Sequence, residues 1–242
     1  VIKPQRTPWR AGFPDIAVHT TVRLRDGHHD YFAAKSGDVA ASERLVVALT
    51  DAEAIETLRR SLGDALALLV PVRALEEAGL NEIPDAFAGL LSDRLGLEVH
   101  EGIVQINQVN HTRAGGAERF LRPALFDGPV DARKSYVIVD DHVGLGGTVS
   151  NLKGYIETQG GLVIAAAALT VSRNSDKIAL SMTTLDRLRA RHGGLEEWWR
   201  KEFGYGFDCL TEPEAGYLHR IPDARSFRDR FAAQDAESPP RA

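Results

Sequence analysis

The chain has 242 residues, enough for one generous α/β core with appended pieces, and carries a formal charge of −5, which argues against a nucleic-acid scaffold. A single cysteine, Cys209, excludes an internal disulfide and reads as a small buried apolar residue. No apolar run reaches the roughly 20 residues needed to cross a bilayer and no signal-peptide h-region follows Val1, so a cytoplasmic location without a membrane partner is expected.

Residues 1–64 read as a helical extension. Within it, residues 39–49 make a helix-like run, and Asp51 is a good N-cap for a second helix reaching Leu62. Lys35 and Asp38 could reach a site in the core, but a solvated helix entry capped by Asp38 is the simpler expectation. Residues 65–172 read as the core. Its first strand is 65–72, Ala-Leu-Ala-Leu-Leu-Val-Pro-Val, with Pro71 marking the end because proline cannot donate to a ladder. A connection over 72–84 carries Arg73 and Asn81. The helix expected over 84–95 has Pro84 in its first turn and Phe87, Leu90, Leu91 and Leu95 on one face. A strand is predicted over 97–106. Residues 107–130 show no sustained period, and a loop that long inside a compact domain is usually functional or disordered. It holds His111, Arg113, Arg119 and Arg122 around Gly115-Gly116.

The most informative segment runs from Val137 to Val149. Residues 136–139, Tyr-Val-Ile-Val, predict a strand covered on both faces in a parallel sheet. Asp140 and Asp141 then fall at its carboxyl end, where open α/β sheets bind ligands. Gly144, Gly146 and Gly147 follow, and Thr148 opens an amphipathic helix through Val149, Leu152, Tyr155 and Ile156 that stops at Gly160-Gly161. Backbone N–H groups at such a helix start form an anion site, and carboxylates accept hydrogen bonds from sugar hydroxyls. Residues 162–171 are a further buried strand. Residues 173–242 read as a helical region with a helix over 178–192. It also carries an aromatic cluster of Trp198, Trp199, Phe203, Tyr205 and Phe207, better suited to a core or dimer contact than to base stacking, and a frayed tail over 234–242. No Ser-His-Asp or Cys-His pattern stands out, and the eight histidines show no metal-ligand spacing; His142 is expected to turn to solvent.

At these residues the chain resembles the type I phosphoribosyltransferases, which use 5-phosphoribosyl diphosphate (PRPP). The likeness lies in the apolar run, the acid pair and the glycine turn before Thr148. It implies an α/β fold with a type I phosphoribosyltransferase-like core, a parallel sheet flanked by helices, and helical N- and C-terminal additions forming a hood over the base. It also implies that Asp140 and Asp141 hold the ribose hydroxyls and help to place Mg2+. Val143, Gly144, Leu145, Gly146, Gly147 and Thr148 would bind the 5′-phosphate, with Leu145 standing where the family usually carries Thr or Ser. Arg73 and Asn81 fall at the family's diphosphate loop, where Arg73 reads equally as a diphosphate contact or a solvated charge. Residues 107–130 fall at its mobile catalytic loop, loosely like ComF-like members, with His111 and Arg113 on the diphosphate.

The reaction implied is transfer of the phosphoribosyl group from PRPP to a nitrogenous base or amine with release of diphosphate. A non-catalytic PRPP- or nucleotide-sensing regulator of the same fold is the alternative. Gly144 stands where the 6-oxopurine enzymes carry an acid, which disfavours hypoxanthine and guanine, and the arginine-rich loop does not support orotate. The resemblance further implies a homodimer.

Overall fold

The computed structural model describes residues 3–76, 79–108 and 116–237. Four strands form one wholly parallel sheet in the order Ala17–Val18, Leu162–Val171, Ser135–Val143, Ala67–Pro71. The two long strands take the middle, because both are apolar along most of their length and a central strand of such a sheet is covered on both faces. Side chains alternate between the two layers. Val137 and Val139 meet Leu45, Leu58, Phe87 and Leu91 from the helices Val39–Leu49, Ala52–Leu62 and Ile83–Leu95. Tyr136 and Ile138 meet Val149, Leu152 and Ile156 of the helix Gly147–Thr158. The result is a helix, sheet, helix sandwich with the acid pair on a central strand.

Local chemistry sets the helix ends. Asp38 and Asp51 each cap a helix, accepting from Ala41 N–H at 2.9 Å and Ala54 N–H at 2.8 Å. Pro84 occupies the first turn of its helix, and Pro71 is the last residue of its strand. Residues from the 1–64 segment also build into the core. Ala17 and Val18 pair with Ala167 and Ala168, and Ala34, Ala41 and Leu45 are fully buried.

Several elements depart from expectation. The strand predicted over 97–106 is broken. Val99 makes an isolated parallel bridge to Leu69, and then Val104–Gln105 pairs antiparallel with Phe126–Asp127, outside the main sheet. Glu101-Gly102 interrupts the apolar run there, and the Gly102 carbonyl lies against Gly128, where a Cβ would come within 2.0 Å of it. The acid-pair strand is longer than read, continuing its ladder to Val143 opposite Val171. The helix expected from 178 begins at Met182, because Ala179 bridges to Thr211 and Ser181 caps the helix instead. The final helix, Ala224–Glu237, carries residues 234–237 that read as frayed tail.

The C-terminal region makes a core of its own. Trp199, Phe203, Phe207, Phe227 and Phe231 pack together with Cys209, and Phe120 joins them from the 107–130 segment, its ring centroid 5.1 Å from that of Trp199. The aromatic residues therefore form a packed interior, and burial pushes the Cys209 thiol up to about 11. Residues 3–10 connect this unit to the sandwich. Arg6 donates to Asn151 Oδ1 at 2.6 Å and to both oxygens of Glu214 at 2.6 and 2.9 Å, and Trp9 donates to the Leu210 carbonyl at 2.9 Å. Gly154 permits the contact, since a Cβ there would lie 2.0 Å from the Gln5 carbonyl oxygen.

His19 supplies a pH signature. It is buried against Phe87 and accepts from Asp51 N–H through Nδ1 at 3.2 Å. Burial depresses its pKa to about 4. Between the unfolded value near 6.5 and that folded value, the unfolded chain binds the extra proton, so stability falls as pH drops through this window. We expect a loss approaching about 3 kcal/mol by pH 4 from this group. Urea titrations of the wild type and a His19→Gln variant at pH 7 and pH 4.5 check it. An equal acid loss in both proteins would remove His19 as the cause.

Candidate functional site

Asp140 and Asp141 sit near the carboxyl end of the central strand Ser135–Val143 and are only 7% and 6% exposed. Asp140 Oδ1 accepts from Asp141 N–H at 2.8 Å. Lys35, the last residue of the short helix Tyr31–Lys35, brings its ammonium to 2.8 Å from Asp141 Oδ2, with 15% of its side chain exposed. The two carboxyls consequently behave differently. Burial and the neighbouring Asp141 push Asp140 well above the usual carboxylate range. Burial acts on Asp141 in the same direction, but the Lys35 ammonium outweighs it and holds Asp141 below that range. Asp141 is the charged member, and Asp140 is the last to ionise.

This arrangement does not fit a divalent ion on the carboxylates. Mg2+ demands near-octahedral oxygen ligation at close range, whereas Asp141 Oδ2 is already charge-paired and Asp140 Oδ1 is held by a backbone donor. Lys35, set aside in the sequence as a solvated entry residue, is the cation of the pair; Asp38 is the cap it was taken to be.

The strand ends at Val143, and Gly144, Leu145 and Gly146 turn the chain into the helix Gly147–Thr158. Gly146 adopts φ 84°, where a side chain would be strained, and a Cβ there would also press on Ile178 and Thr211 at 3.0 and 3.1 Å. Leu145 has no hydroxyl to offer, but its carbonyl accepts from Thr211 Oγ1 at 2.5 Å, so the C-terminal unit braces the loop. The N–H groups of the first helical turn, Gly147, Thr148 and Val149, precede any intrahelical acceptor and form the anion-seeking end of the helix. Glu214 would oppose an anion here, its Oε1 lying 3.0 Å from where a Gly147 Cβ would stand. The Arg6 guanidinium bridges both Glu214 oxygens and offsets that charge.

Arg119, in the short helix Gly116–Leu121, crosses above Gly144; a Cβ at Gly144 would lie 2.5 Å from its Nη1. Burial pulls its pKa below the usual arginine value. The space a side chain at position 144 would enter is thus taken by a guanidinium. Arg73, which read equally as a diphosphate contact or a solvated charge, is paired with Asp85 at 2.5 Å and also donates to the Glu101 carbonyl. The buried Asn81 shapes its own segment, donating through N–H to Ala74 O and accepting from Ile83 N–H. His142 lies in the strand rather than in a loop, is exposed as expected, and sits with Nδ1 2.8 Å from Thr170 Oγ1. His111 and Arg113 lie outside the described residues.

One further grouping escaped the sequence reading. His28, His29 and Asp30 place a ligand-type atom each within 4.8 Å of one another. Arg44, however, makes two 2.9 Å bonds to Asp30 and holds it below the usual carboxylate range.

Fold and site together define an α/β protein with a parallel four-stranded sheet, a buried acid pair on a central strand, and a glycine loop at a helix amino terminus. The chain matches no protein-family model. It is 38% identical over 237 residues to protein TraN of Escherichia coli, covering 98% of this chain and 53% of that protein, so it spans about half the length of that relative. Among solved structures it resembles an adenine phosphoribosyltransferase, at 14% identity and a TM-score of 0.38, over 58% of this chain and 77% of the other. It also resembles UMP synthase of Leishmania donovani, at 14% identity and a TM-score of 0.35, over 88% of this chain and 36% of the other. No helix among the described residues is long and apolar enough to cross a membrane.

Proposed function

We propose that the chain binds PRPP across Asp140, Asp141 and the loop from Val143 to Thr148, and transfers its phosphoribosyl group to a nitrogen nucleophile with release of diphosphate. The observation carrying this reading is the buried acid pair set directly before a glycine loop at a helix amino terminus. Carboxylates accept from ribose hydroxyls, and the loop and first-turn N–H groups suit the 5′-phosphate.

In the proposed step the bond from ribose C1 to the diphosphate oxygen breaks, its electron pair leaving with the diphosphate. The incoming nitrogen forms the new bond at C1 and gives up a proton. Positioning and charge stabilisation supply the rate, and no covalent enzyme intermediate is needed. Arg119 above Gly144 stands where positive charge can meet the phosphates, and Arg113 and His111 are assigned to the departing diphosphate. No step uses a metal on the acid pair.

A sensing role is the second reading. The pairing of Arg73 with Asp85 favours it, because the charge expected for the diphosphate is committed to a neighbouring helix.

Calorimetric titration with PRPP, followed by a diphosphate-release screen over nucleobases and amines, tests both readings. Saturable binding with turnover on one acceptor class is expected. Binding without turnover on any acceptor would leave the sensor, and absence of PRPP binding would remove both.

A further inference from the structure

Building on the phosphoribosyl reading of this site, we propose that Lys35 is the built-in cation of the ribose subsite, so that a ribose 5-phosphate group is held at Asp140 and Asp141 without a divalent ion on those carboxylates. The ion pair is short, at 2.8 Å, and both partners are largely shielded from water.

Lys35 is also delivered by fixed backbone. Its helix ends with Ser36 N–H donating to Ala33 O at 3.0 Å and Glu82 N–H donating to Ala34 O at 3.3 Å, and Ala34 is fully buried. Gly79 packs so tightly on this end that a Cβ would come within 2.9 Å of Ser36 O. The helix terminus is therefore clamped between the core and the segment that follows the Ala67–Pro71 strand, and the lysine is a fixed part of the site.

The chemistry of the subsite follows from donor and acceptor roles. A carboxylate only accepts, an ammonium only donates, and a hydroxyl does both. A vicinal diol can therefore bind beside the Asp141–Lys35 pair, giving protons to the one and accepting from the other, without breaking the ion pair. A divalent ion at Asp141 would have to expel the ammonium or sit against a like charge. The ligand class selected is a ribose phosphate with unmodified 2′ and 3′ hydroxyls; a 2′-deoxy sugar forfeits one partner.

Ribose 5-phosphate is the probe, since it lacks the diphosphate that would recruit Mg2+ on its own account. Calorimetric affinity of the wild type is expected to be the same in EDTA and in Mg2+. Lys35→Met is expected to lose about tenfold or more in EDTA, the scale of a charge-assisted hydrogen bond. Manganese paramagnetic resonance on the ligand-free wild type is expected to show no ion bound at the pair.

A wild type that needs Mg2+ to bind ribose 5-phosphate would overturn the role of Lys35 while leaving the phosphoribosyl site in place. So would a Mn2+ signal lost in Asp141→Asn, or unchanged affinity in a folded Lys35→Met protein. Failure of the wild type to bind ribose 5-phosphate or PRPP in either buffer would remove the site itself. The wild-type comparisons need no variant and hold even where Lys35→Met does not fold.

Discussion

An Asp141→Asn protein is expected to lose PRPP binding and about 3 kcal/mol of stability together, because the substitution leaves the Lys35 ammonium largely shielded without its counter-charge. The neighbouring Asp140→Asn is expected to cost under about 1 kcal/mol, since burial and the Asp141 carboxyl already disfavour its charge and an amide oxygen can still accept from Asp141 N–H. Adjacent aspartates, alike in sequence, should thus separate cleanly in a denaturant titration. The double variant Lys35→Met with Asp141→Asn removes both charges at once, and most of the lost stability should return while PRPP binding does not. Equal stability losses in Asp140→Asn and Asp141→Asn would contradict the asymmetry imposed by Lys35.

The second large effect is expected at Arg6. Its guanidinium and the Glu214 carboxylate have side chains 2% and 4% exposed, and Arg6 also stacks over the Tyr205 ring at 4.4 Å. Arg6→Ala strands a buried carboxylate and should cost about 3–5 kcal/mol, a fall in melting temperature on the order of 10 °C for a chain of this size. Because Glu214 and Thr211 open the same helix and Thr211 holds the Leu145 carbonyl, phosphate affinity should fall with stability. Replacing the pair by Arg6→Met with Glu214→Leu should restore most of the melting temperature, which thermal unfolding checks directly. An unchanged melting temperature in Arg6→Ala would mean that the Arg6–Glu214 pair contributes nothing to the union of the two cores.

What could be read from the sequence was what is contiguous in it. The apolar run 136–139, the acid pair, the glycines and the helix after Thr148 fall within one stretch, and each residue type restricts the backbone or the chemistry by itself. Asp38 and Asp51 were legible for the same reason, since a cap acts within three residues of its own position. Lys35 was not, because nothing near it in the chain marks its partner on a distant strand. Arg73 stayed open for the complementary reason: its place after a core strand is suggestive, and nothing beside it in the chain shows that Asp85 on the following helix pairs with it. The apolar pattern of 97–106 was real, but pairing depends on the neighbouring strand, and only Val99 reaches Leu69. Arg6 carries no local pattern, and Glu214 is marked locally only as the N3 residue of a capping box with Thr211, so the buried ion pair joining the two cores could only be seen in three dimensions.

The strap at residues 3–10 also sets an order of assembly. Arg6 is synthesised 208 residues before Glu214, and the glycine loop between them is braced by Thr211, which caps the helix holding Glu214. A chain emerging from the ribosome would display the acid pair and the loop well before Arg6 has its acceptor. The ligand site therefore matures only after the core built around Trp199 has closed over residues 3–10, and a nascent chain ending before Thr211 would carry the binding motif without the fold that braces it.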